Sequence, residues 1–395
     1  MCITTICHTP IYRGFRGVPT VTDQDISRLL AERVQSAYHQ GTPLTIVGSG
    51  SKAFLGGQPS ADRSSGTSDH GADVLDLSPH CGILDYEPAE LVLTARAGTP
   101  LAEIEQILSA SGQMMPFDPP QFGGKGTLGG AVATGLSGPA RPWQGAVRDA
   151  VLGVTLINGQ GEILKFGGQV MKNVAGYDVS RLMAGAFGTL GVLLEISIRV
   201  MPLPRVQQTQ VVATNTEQAL RWLAEWNQTA LPITAASFHD GQLHVRLAGA
   251  QSGVHKAALR VGGDTLNEAA ASTYWQALRD HQLPFFQVGE TDLWRSAAPL
   301  STPVSALPDA PQYIDWGGQQ RWFRLPSGQD ADIRPRTTAA GGHATLFRPS
   351  AQSTGNAQTS PFTPLPAPLH ALHQRIKTAL DPKGLFNAGR LFAEL

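Results

Sequence analysis

The sequence is poor in charged residues for a protein of its size. Only 15% of its 395 residues are Asp, Glu, Lys or Arg, and the 30 basic residues balance 31 acidic ones. This balance argues against nucleic acid or an anionic membrane as the main partner. So little charge also leaves weakly polar surface, which indicates a subunit that is covered in a larger complex.

Cysteine is scarce, and long apolar runs are missing. Cys2, Cys7 and Cys81 are the three cysteines, too few to supply four thiolates for an iron–sulfur cluster or a structural zinc, so we expect no metal site. Their odd number and irregular spacing predict reduced thiols in the cytoplasm. No run of about 18 apolar residues is present and the N-terminus is too polar for a signal peptide, so contact with the inner membrane would come through partner subunits.

The first half of the chain carries mixed helix and strand signals. Apolar residues at helical spacing predict a helix over 23–38, and Thr99 is the expected N-cap of a second helix that ends at Ser109. Asn158-Gly-Gln-Gly161 is a hairpin signal between predicted strands over 149–157 and 162–166. Pro202 and Pro204 then mark a domain boundary, in keeping with a length that predicts two domains.

A different pattern follows that boundary. An amphipathic helix is predicted over 216–228, a hairpin over 235–247 around Asp240-Gly241, and further helices over 253–261 and 267–281. This order favours a smaller, ferredoxin-like α+β domain of the kind that covers a cofactor. The sequence therefore predicts segments 1–204, 205–348 and 349–395, the last a loop, a helix and a C-terminal tail.

Three glycine-rich segments carry the chemistry. They are Ile46-Val-Gly-Ser-Gly-Ser-Lys52, the Pro- and Gly-dense passage 116–135, and Ala186-Phe-Gly-Thr-Leu-Gly-Val192. Glycine permits positive φ and lets backbone N–H groups approach an anionic ligand closely. The first loop matches neither the dinucleotide pattern G-x-G-x-x-G nor a Walker A loop. The segments instead favour a large cofactor whose pyrophosphate is held by loop N–H groups, with Lys52 offsetting its charge.

In this order and at these separations, the three segments resemble the FAD-binding domain of the vanillyl-alcohol oxidase/p-cresol methylhydroxylase (PCMH) superfamily. The resemblance implies an α+β fold with a two-part PCMH-type FAD-binding domain, a smaller second domain, and a C-terminal tail near the flavin. It also implies cofactor-binding residues, which are Gly48, Ser49, Gly50, Ser51 and Lys52 at the pyrophosphate, Gly126, Thr127, Gly129, Gly130, Ala133, Thr134, Gly188, Thr189, Gly191 and Val192 along the rest of FAD, and Asn387 near the ring.

Within that superfamily, nearly the whole chain resembles the FAD-binding E subunits of bacterial glycolate oxidase. Four motifs carry the likeness: Gly-Ser-Gly-Ser-Lys-Ala-Phe-Leu-Gly56, Met-Lys-Asn-Val-Ala-Gly-Tyr-Asp-Val-Ser-Arg-Leu182, Gly-Gly-His-Ala-Thr-Leu-Phe-Arg348 and Asp-Pro-Lys-Gly-Leu-Phe-Asn-Ala-Gly-Arg390. The resemblance implies an FAD-dependent glycolate dehydrogenase that oxidises glycolate to glyoxylate without NAD. It also implies two partners, a larger FAD-containing subunit and an iron–sulfur subunit.

The chain departs from some members of the superfamily. Residues 48–52 contain no His or Cys that could bind flavin covalently, so FAD is expected to be non-covalent. Related hydroxy-acid dehydrogenases carry a His-x-Gly-Asp-Gly-Asn motif, whereas this chain has only Gly342-His343-Ala-Thr. No catalytic base is therefore evident. His343, Tyr177 and Arg390 are the catalytic candidates, and each also fits a structural role, namely a histidine at a strand edge, a packed tyrosine and a surface charge. Two alternatives stay open, namely a stand-alone FAD enzyme for another alcohol or 2-hydroxy acid, and a non-catalytic structural flavoprotein subunit.

Overall fold

An antiparallel sheet forms the centre of the first half of the protein. The computed structural model describes residues 23–57, 72–168, 178–287, 289–328, 332–350 and 360–392. Within these residues, the sheet has five strands in the order β3-β4-β8-β6-β7. The elements of this half are α1 (Ser27–Gln40), β1 (Leu44–Val47), β2 (Asp73–Asp76), β3 (Ile83–Glu87), β4 (Val92–Arg96), α2 (Leu101–Ala110), β5 (Gln113–Met114), α3 (Leu128–Thr134), α4 (Arg141–Gln144), α5 (Val147–Ala150), β6 (Val151–Ile157), β7 (Ile163–Gly167), α6 (Val179–Leu182), β8 (Val192–Arg199) and β9 (Met201–Pro202).

Several predicted elements of this half form, with shifted ends. The β6–β7 hairpin turns at the predicted Asn158-Gly-Gln-Gly161, and its strands pair from Gly153–Gly167 to Ile157–Ile163. Helix α1 begins at Ser27 rather than at residue 23 and ends at Gly41, which has φ +71°. Asp149 lies in α5 rather than in the strand, because its carboxylate accepts a hydrogen bond from Ala146 N.

The predicted cap of α2 is wrong. Pro100 occupies the N-cap position, and no side chain caps the helix. The Thr99 hydroxyl instead accepts a hydrogen bond from Gly82 N at 2.9 Å and donates one to Gly82 O at 3.1 Å. Thr99 is fully buried, so these tertiary partners outcompete the local helix end for its hydroxyl group.

A second antiparallel sheet fills the other half. Its strand order is β13-β10-β12-β11-β15-β16-β14-β17 within the described residues. The elements are β10 (Val206–Ala213), α7 (Thr216–Asn227), β11 (Ile233–His239), β12 (Gln242–Gly249), α8 (Gln251–Val261), β13 (Asp264–Leu266), α9 (Glu268–Arg279), β14 (Thr291–Ala297), β15 (Gln312–Asp315), β16 (Gln320–Pro326), α10 (Ile333–Ala339), β17 (His343–Arg348) and α11 (Ala367–Leu380), with short 3-10 helices at Pro284–Phe286, Val304–Ala306 and Trp316–Gly318.

The β10–β13 part of this sheet has the βαββαβ order of a ferredoxin-like unit. Its strands lie in the order β13-β10-β12-β11, and each neighbouring pair is antiparallel. The sheet then continues through a single pairing, Phe238 with Ile314, into four more strands, of which the sequence predicted only β17, as an apolar strand over 344–347. The proposed segments 1–204, 205–348 and 349–395 stay a prediction, although the change of sheet falls between β9 and β10.

Apolar side chains and charges join the two sheets. Leu55, Leu136 and Phe187 of the first half pack in one buried cluster with Trp322 and Phe347 of the second. An inter-sheet ion cluster lies beside it and consists of Glu105, Asp118, Arg246, Arg279 and Asp280. Arg279 forms ion pairs with Glu105 at 3.2 Å, with Asp280 at 3.0 Å and with Asp118 at 4.0 Å. Among the described helices, none has both the length and the apolar character that crossing a membrane requires.

Candidate functional site

The first glycine-rich loop leads directly from β1 and ends in a buried lysine. Gly50 has φ +73°, a conformation in which L side chains are strained. Lys52 is 6% exposed, and its ammonium group reaches only the Ser51 hydroxyl, at 3.5 Å, within the described residues. Burial lowers the pKa of Lys52 to about 8, and the charge of Asp280 opposes this shift. The loop thus presents a buried cation that no carboxylate neutralises by direct contact.

The second loop is fixed against both the first loop and the sheet. Thr127 caps α3 by accepting a hydrogen bond from Gly130 N at 3.2 Å. A Cβ atom at Gly48 would lie 3.3 Å from the Thr127 hydroxyl, and one at Gly129 would lie 2.7 Å from Ala97 Cβ. Glycine at position 129 is therefore required by packing on β4, whereas glycine at position 48 allows the two loops to approach each other.

The third loop meets the C-terminal tail. Asn387 accepts a hydrogen bond from Ile46 N at 2.8 Å and donates one to Phe187 O at 2.7 Å. Gly188 has φ +71°, and a Cβ atom there would lie 2.8 Å from the Asn387 amide nitrogen. The amide side chain of Asn387 thus joins β1 to the third loop, although Asn387 and Ile46 are 341 positions apart in the sequence.

Together these segments enclose one cavity of about 300 Å³. All but three of the predicted cofactor residues line it, namely Gly48, Ser49, Gly50, Ser51, Lys52, Thr127, Gly129, Gly130, Ala133, Thr134, Gly188, Gly191 and Asn387. Gly126, Thr189 and Val192 do not line the cavity. Thr189 and Val192 are 3% and 0% exposed, and Gly126 packs on Leu101 and Gln121. Direct contact of these residues with a cofactor stays a prediction.

The donor groups of this cavity fit FAD. Closely packed glycines leave backbone free to approach a flat ring and a pyrophosphate, and Lys52 supplies a positive charge where burial makes it most effective. Within the described residues, no cluster of three or more His, Cys, Asp or Glu side chains could hold a metal ion. The close backbone approach and the buried ammonium group of Lys52 suit the cavity to an organic dianion.

The candidates for substrate contact are separated from one another. Arg390 lines the cavity, but its guanidinium group donates hydrogen bonds to Gly57 O at 3.1 Å and Ala53 O at 2.9 Å, so it holds the segment that follows the first loop. His343 is exposed at the start of β17 and does not line the cavity. Its pKa is lowered, by partial burial first and then by Arg295 and Arg141. Tyr177 lies outside the described residues.

Sequence reasoning missed a group of cations near the inter-sheet aromatic cluster. The guanidinium carbons of Arg295 and Arg348 lie 5.6 Å and 4.4 Å from the ring centres of Phe347 and Phe54. Neither guanidinium group has a hydrogen bond or an ion pair in the described part of the chain. Both lower the pKa of His281, after burial, to well below its ordinary value. Arg348 ends a motif that the sequence does show, but only the fold brings it near Arg295.

Sequence reasoning also missed a buried acidic residue, Asp315. Asp315 is 4% exposed and accepts hydrogen bonds from Trp316 N at 2.7 Å and from Gln320 at 3.3 Å. Burial raises its pKa to about 7 despite these donors. Asp315, Gln320, Arg295 and His281 line a small cavity of about 20 Å³ between the sheets. Sequence patterns carry no signal for this group, because only the pairing of β15 with β11 and β16 brings Asp315 into the buried space between the sheets.

Comparison with known proteins defines the class. A family described as "FAD binding domain" matches residues 27–167. The solved structure of an alkyldihydroxyacetonephosphate synthase superposes with a TM-score of 0.65 at 14% identity, covering 91% of this chain and 74% of that one. The fold and the cavity are those of an FAD-dependent flavoprotein with the PCMH-type fold.

Closer relatives narrow the class to one family. "Glycolate oxidase subunit GlcE" of Escherichia coli K12 is 46% identical over 371 residues, which cover 94% of this chain and 99% of the relative. A D-2-hydroxyglutarate dehydrogenase of Xanthomonas citri pv. viticola is 29% identical over 213 residues, 53% of this chain and 43% of that protein. The chain belongs to the GlcE family of glycolate oxidase subunits, and its cofactor is FAD.

Proposed function

We propose that the protein is the FAD-binding subunit of a glycolate dehydrogenase that passes electrons to an iron–sulfur partner. The observation that carries this proposal is the single cavity built by all three glycine-rich segments, in a chain that matches a glycolate oxidase subunit over 94% of its length. When bound, FAD supplies two-electron oxidation of an alcohol and one-electron transfer to an acceptor. The chain's own residues hold the cofactor, orient it and exclude water.

The partners are proposed from what the described residues lack. No described cluster resembles a metal site, and one of the three cysteines, Cys81, lies in the described chain. A complete dehydrogenase needs a hydride donor site, a flavin and an exit for electrons. We therefore assign the remaining parts to a larger FAD-containing subunit and an iron–sulfur subunit.

Co-expression tests this assignment. The chain is purified alone and together with the candidate large flavoprotein and iron–sulfur subunits, flavin is counted for each subunit, and glycolate oxidation is followed with an artificial acceptor. We expect FAD in the isolated chain with negligible glycolate oxidation, and activity only in the assembled complex. Turnover by the single chain at the rate of the complex would contradict the subunit proposal.

Non-covalent attachment follows from the absence of His and Cys in residues 48–52. Acid precipitation of the holoprotein should release yellow flavin into the supernatant, and treatment with mild denaturant should do the same. Flavin that stays in the pellet would show a covalent bond.

A second function, that of a stand-alone 2-hydroxy-acid dehydrogenase, is favoured by Arg295 and Arg348. Guanidinium groups bind carboxylates bidentately, and these two have no counter-ion among the described residues. Oxalate, a carboxylate that cannot be oxidised as an alcohol, serves as the probe. If this chain holds the substrate, oxalate should shift the flavin absorbance of the isolated holoprotein, and R295Q/R348Q should abolish that shift while retaining FAD. R336Q, a change at an exposed arginine, is the matched control.

A further inference from the structure

Lys377 of α11 is a buried cation that does not line the FAD cavity. Its side chain is 9% exposed. The ammonium group donates three hydrogen bonds, to Asp381 Oδ2 at 2.7 Å, to Thr189 O at 2.7 Å and to Phe386 O at 2.9 Å. Since all three protons have acceptors, Lys377 joins the third glycine-rich loop to the C-terminal tail through one atom.

Asp381 completes the connection. It is 1% exposed, and its carboxylate accepts hydrogen bonds from Leu385 N at 3.0 Å and from Phe386 N at 2.8 Å, in addition to the one from Lys377. These bonds fix the turn between α11 and Asn387. A buried carboxylate with three donors is well compensated, so the pair can hold this turn rigidly.

Asn387 is the point at which this arrangement reaches the cavity. Its backbone has φ +44°, a left-handed conformation that a non-glycine residue adopts only when its surroundings impose it. Three bonds impose it here, from Asn387 N to Leu44 O at 3.0 Å, from Ile46 N to the side chain at 2.8 Å, and from the side chain to Phe187 O at 2.7 Å. Phe386, the residue before it, is held by both Lys377 and Asp381.

From these contacts we propose that Lys377 is a positioning residue for FAD binding, and that it acts through Asn387. Lys377 sets the distance between Thr189 O and Phe386 O, and the residues adjacent to these groups, Gly188 and Asn387, form one edge of the cavity. The proposal rests on FAD binding by this chain and not on the identity of its substrate or partners.

A double-mutant cycle tests the proposal. FAD is removed, and its dissociation constant is measured by flavin fluorescence well below the melting temperature of each apoprotein, for wild type, K377M, N387A and K377M/N387A. We expect each single change to raise the dissociation constant about tenfold, and the double change to raise it little further, because both act through the same contact. K383M is the matched control, since Lys383 lies close in sequence but is exposed and, among the described residues, contacts only Tyr38.

Other outcomes overturn the proposal. Additive effects in the double variant would show that Lys377 does not act through Asn387. A lower melting temperature with an unchanged dissociation constant would show that Lys377 only stabilises the fold. If K377M fails to fold, D381N replaces it in the cycle, because an asparagine oxygen can still accept a backbone hydrogen bond while the charge that holds Lys377 is lost. Additivity in the double variant, or a lower melting temperature with an unchanged dissociation constant, would then overturn the proposal in the same way. None of these measurements depends on glycolate oxidation.

Discussion

At the scale of single residues, buried ionisable groups distinguish the two halves of the molecule. Lys52 at the end of the first glycine-rich loop and Asp315 at the end of β15 in the second sheet are both more than nine-tenths buried. Burial disfavours the charged form of each, so the pKa of the lysine falls and that of the aspartate rises. Lys52 lines the FAD cavity, where a bound anion would favour its charged form, whereas Asp315 does not line that cavity.

Lys52 should make FAD binding dependent on pH. The apoprotein loses the ammonium proton near pH 8, and the pyrophosphate requires that proton, so affinity for FAD should fall as pH rises above about 8. The slope is at most about tenfold for each pH unit. Flavin titrations of apoprotein at pH 7.0 and pH 9.5 measure the change. K52M should bind FAD weakly at both pH values, and its affinity should not fall between them. An identical pH profile in K52M would contradict the assignment.

Asp315 should make the fold less stable at neutral than at mildly acidic pH. Its carboxyl group titrates near 7 in the folded protein and near 3.8 in the unfolded chain. Between these values the folded state binds more protons, so the free energy of unfolding falls as pH rises through this window. D315N should remove this fall in the free energy of unfolding. At pH 8 the variant should therefore be more stable than the wild type by about 1 kcal/mol or more. Denaturant unfolding at pH 5 and pH 8 measures it, with D332N at an exposed position as control.

At the scale of elements, α3 is a short helix whose consecutive glycines have different environments. Gly129 faces Ala97, the residue that follows β4, and its backbone N–H donates to Ala97 O at 2.7 Å. A Cβ atom at Gly130 would meet only the Thr127 hydroxyl, at 3.1 Å. The same residue type thus serves packing at one position and cavity shape at the next.

Alanine substitutions should separate these two uses. G129A should destabilise the apoprotein by about 1–3 kcal/mol, because the new Cβ would overlap Ala97. G130A should change stability little, since alanine favours helix, while a bulkier G130V should block FAD binding. Melting temperatures of apoproteins and FAD titrations give the two readouts. Normal FAD occupancy in G130V would show that the second loop does not approach the cofactor.

At the scale of the whole molecule, the inter-sheet ion cluster holds the second loop against the second sheet. Asp280 accepts hydrogen bonds from Gln121 N at 2.7 Å and Phe122 N at 3.3 Å, and Arg279 links it to Glu105 and Asp118. Phe122 packs against Phe54, which follows the first loop. The packing of the two sheets therefore helps to shape the FAD cavity.

Loss of Arg279 should weaken this packing. R279A leaves Asp118 and Asp280 in a poorly solvated position with one cation fewer, which should lower the free energy of unfolding by about 3 kcal/mol. Limited proteolysis within residues 116–125 should accelerate. R336A removes an exposed ion pair and should change stability by less than about 1 kcal/mol. Equal effects of the two substitutions would show that the cluster contributes no more than a surface pair.

The sequence alone determined the local features. The three glycine-rich segments, the β6–β7 hairpin and the end of α1 at Gly41 follow from residues within a few positions of one another, because turn geometry and helix ends depend on local φ values and hydrogen bonds. The order of the motifs was also sufficient to predict the FAD cofactor, the PCMH-type fold and the family.

Only the tertiary structure decided which side chains act together. Asn387 bonds Ile46 across 341 positions of sequence, and Lys377 reaches Thr189 across 188. Arg295 and Arg348 both lower the pKa of His281, because the pairing of β14 with β17 places the two arginines on neighbouring strands. The shifted pKa values of Lys52 and Asp315 arise from burial by distant segments. Such contacts depend on how strands pair and sheets pack over long separations, and no local sequence signal specifies them.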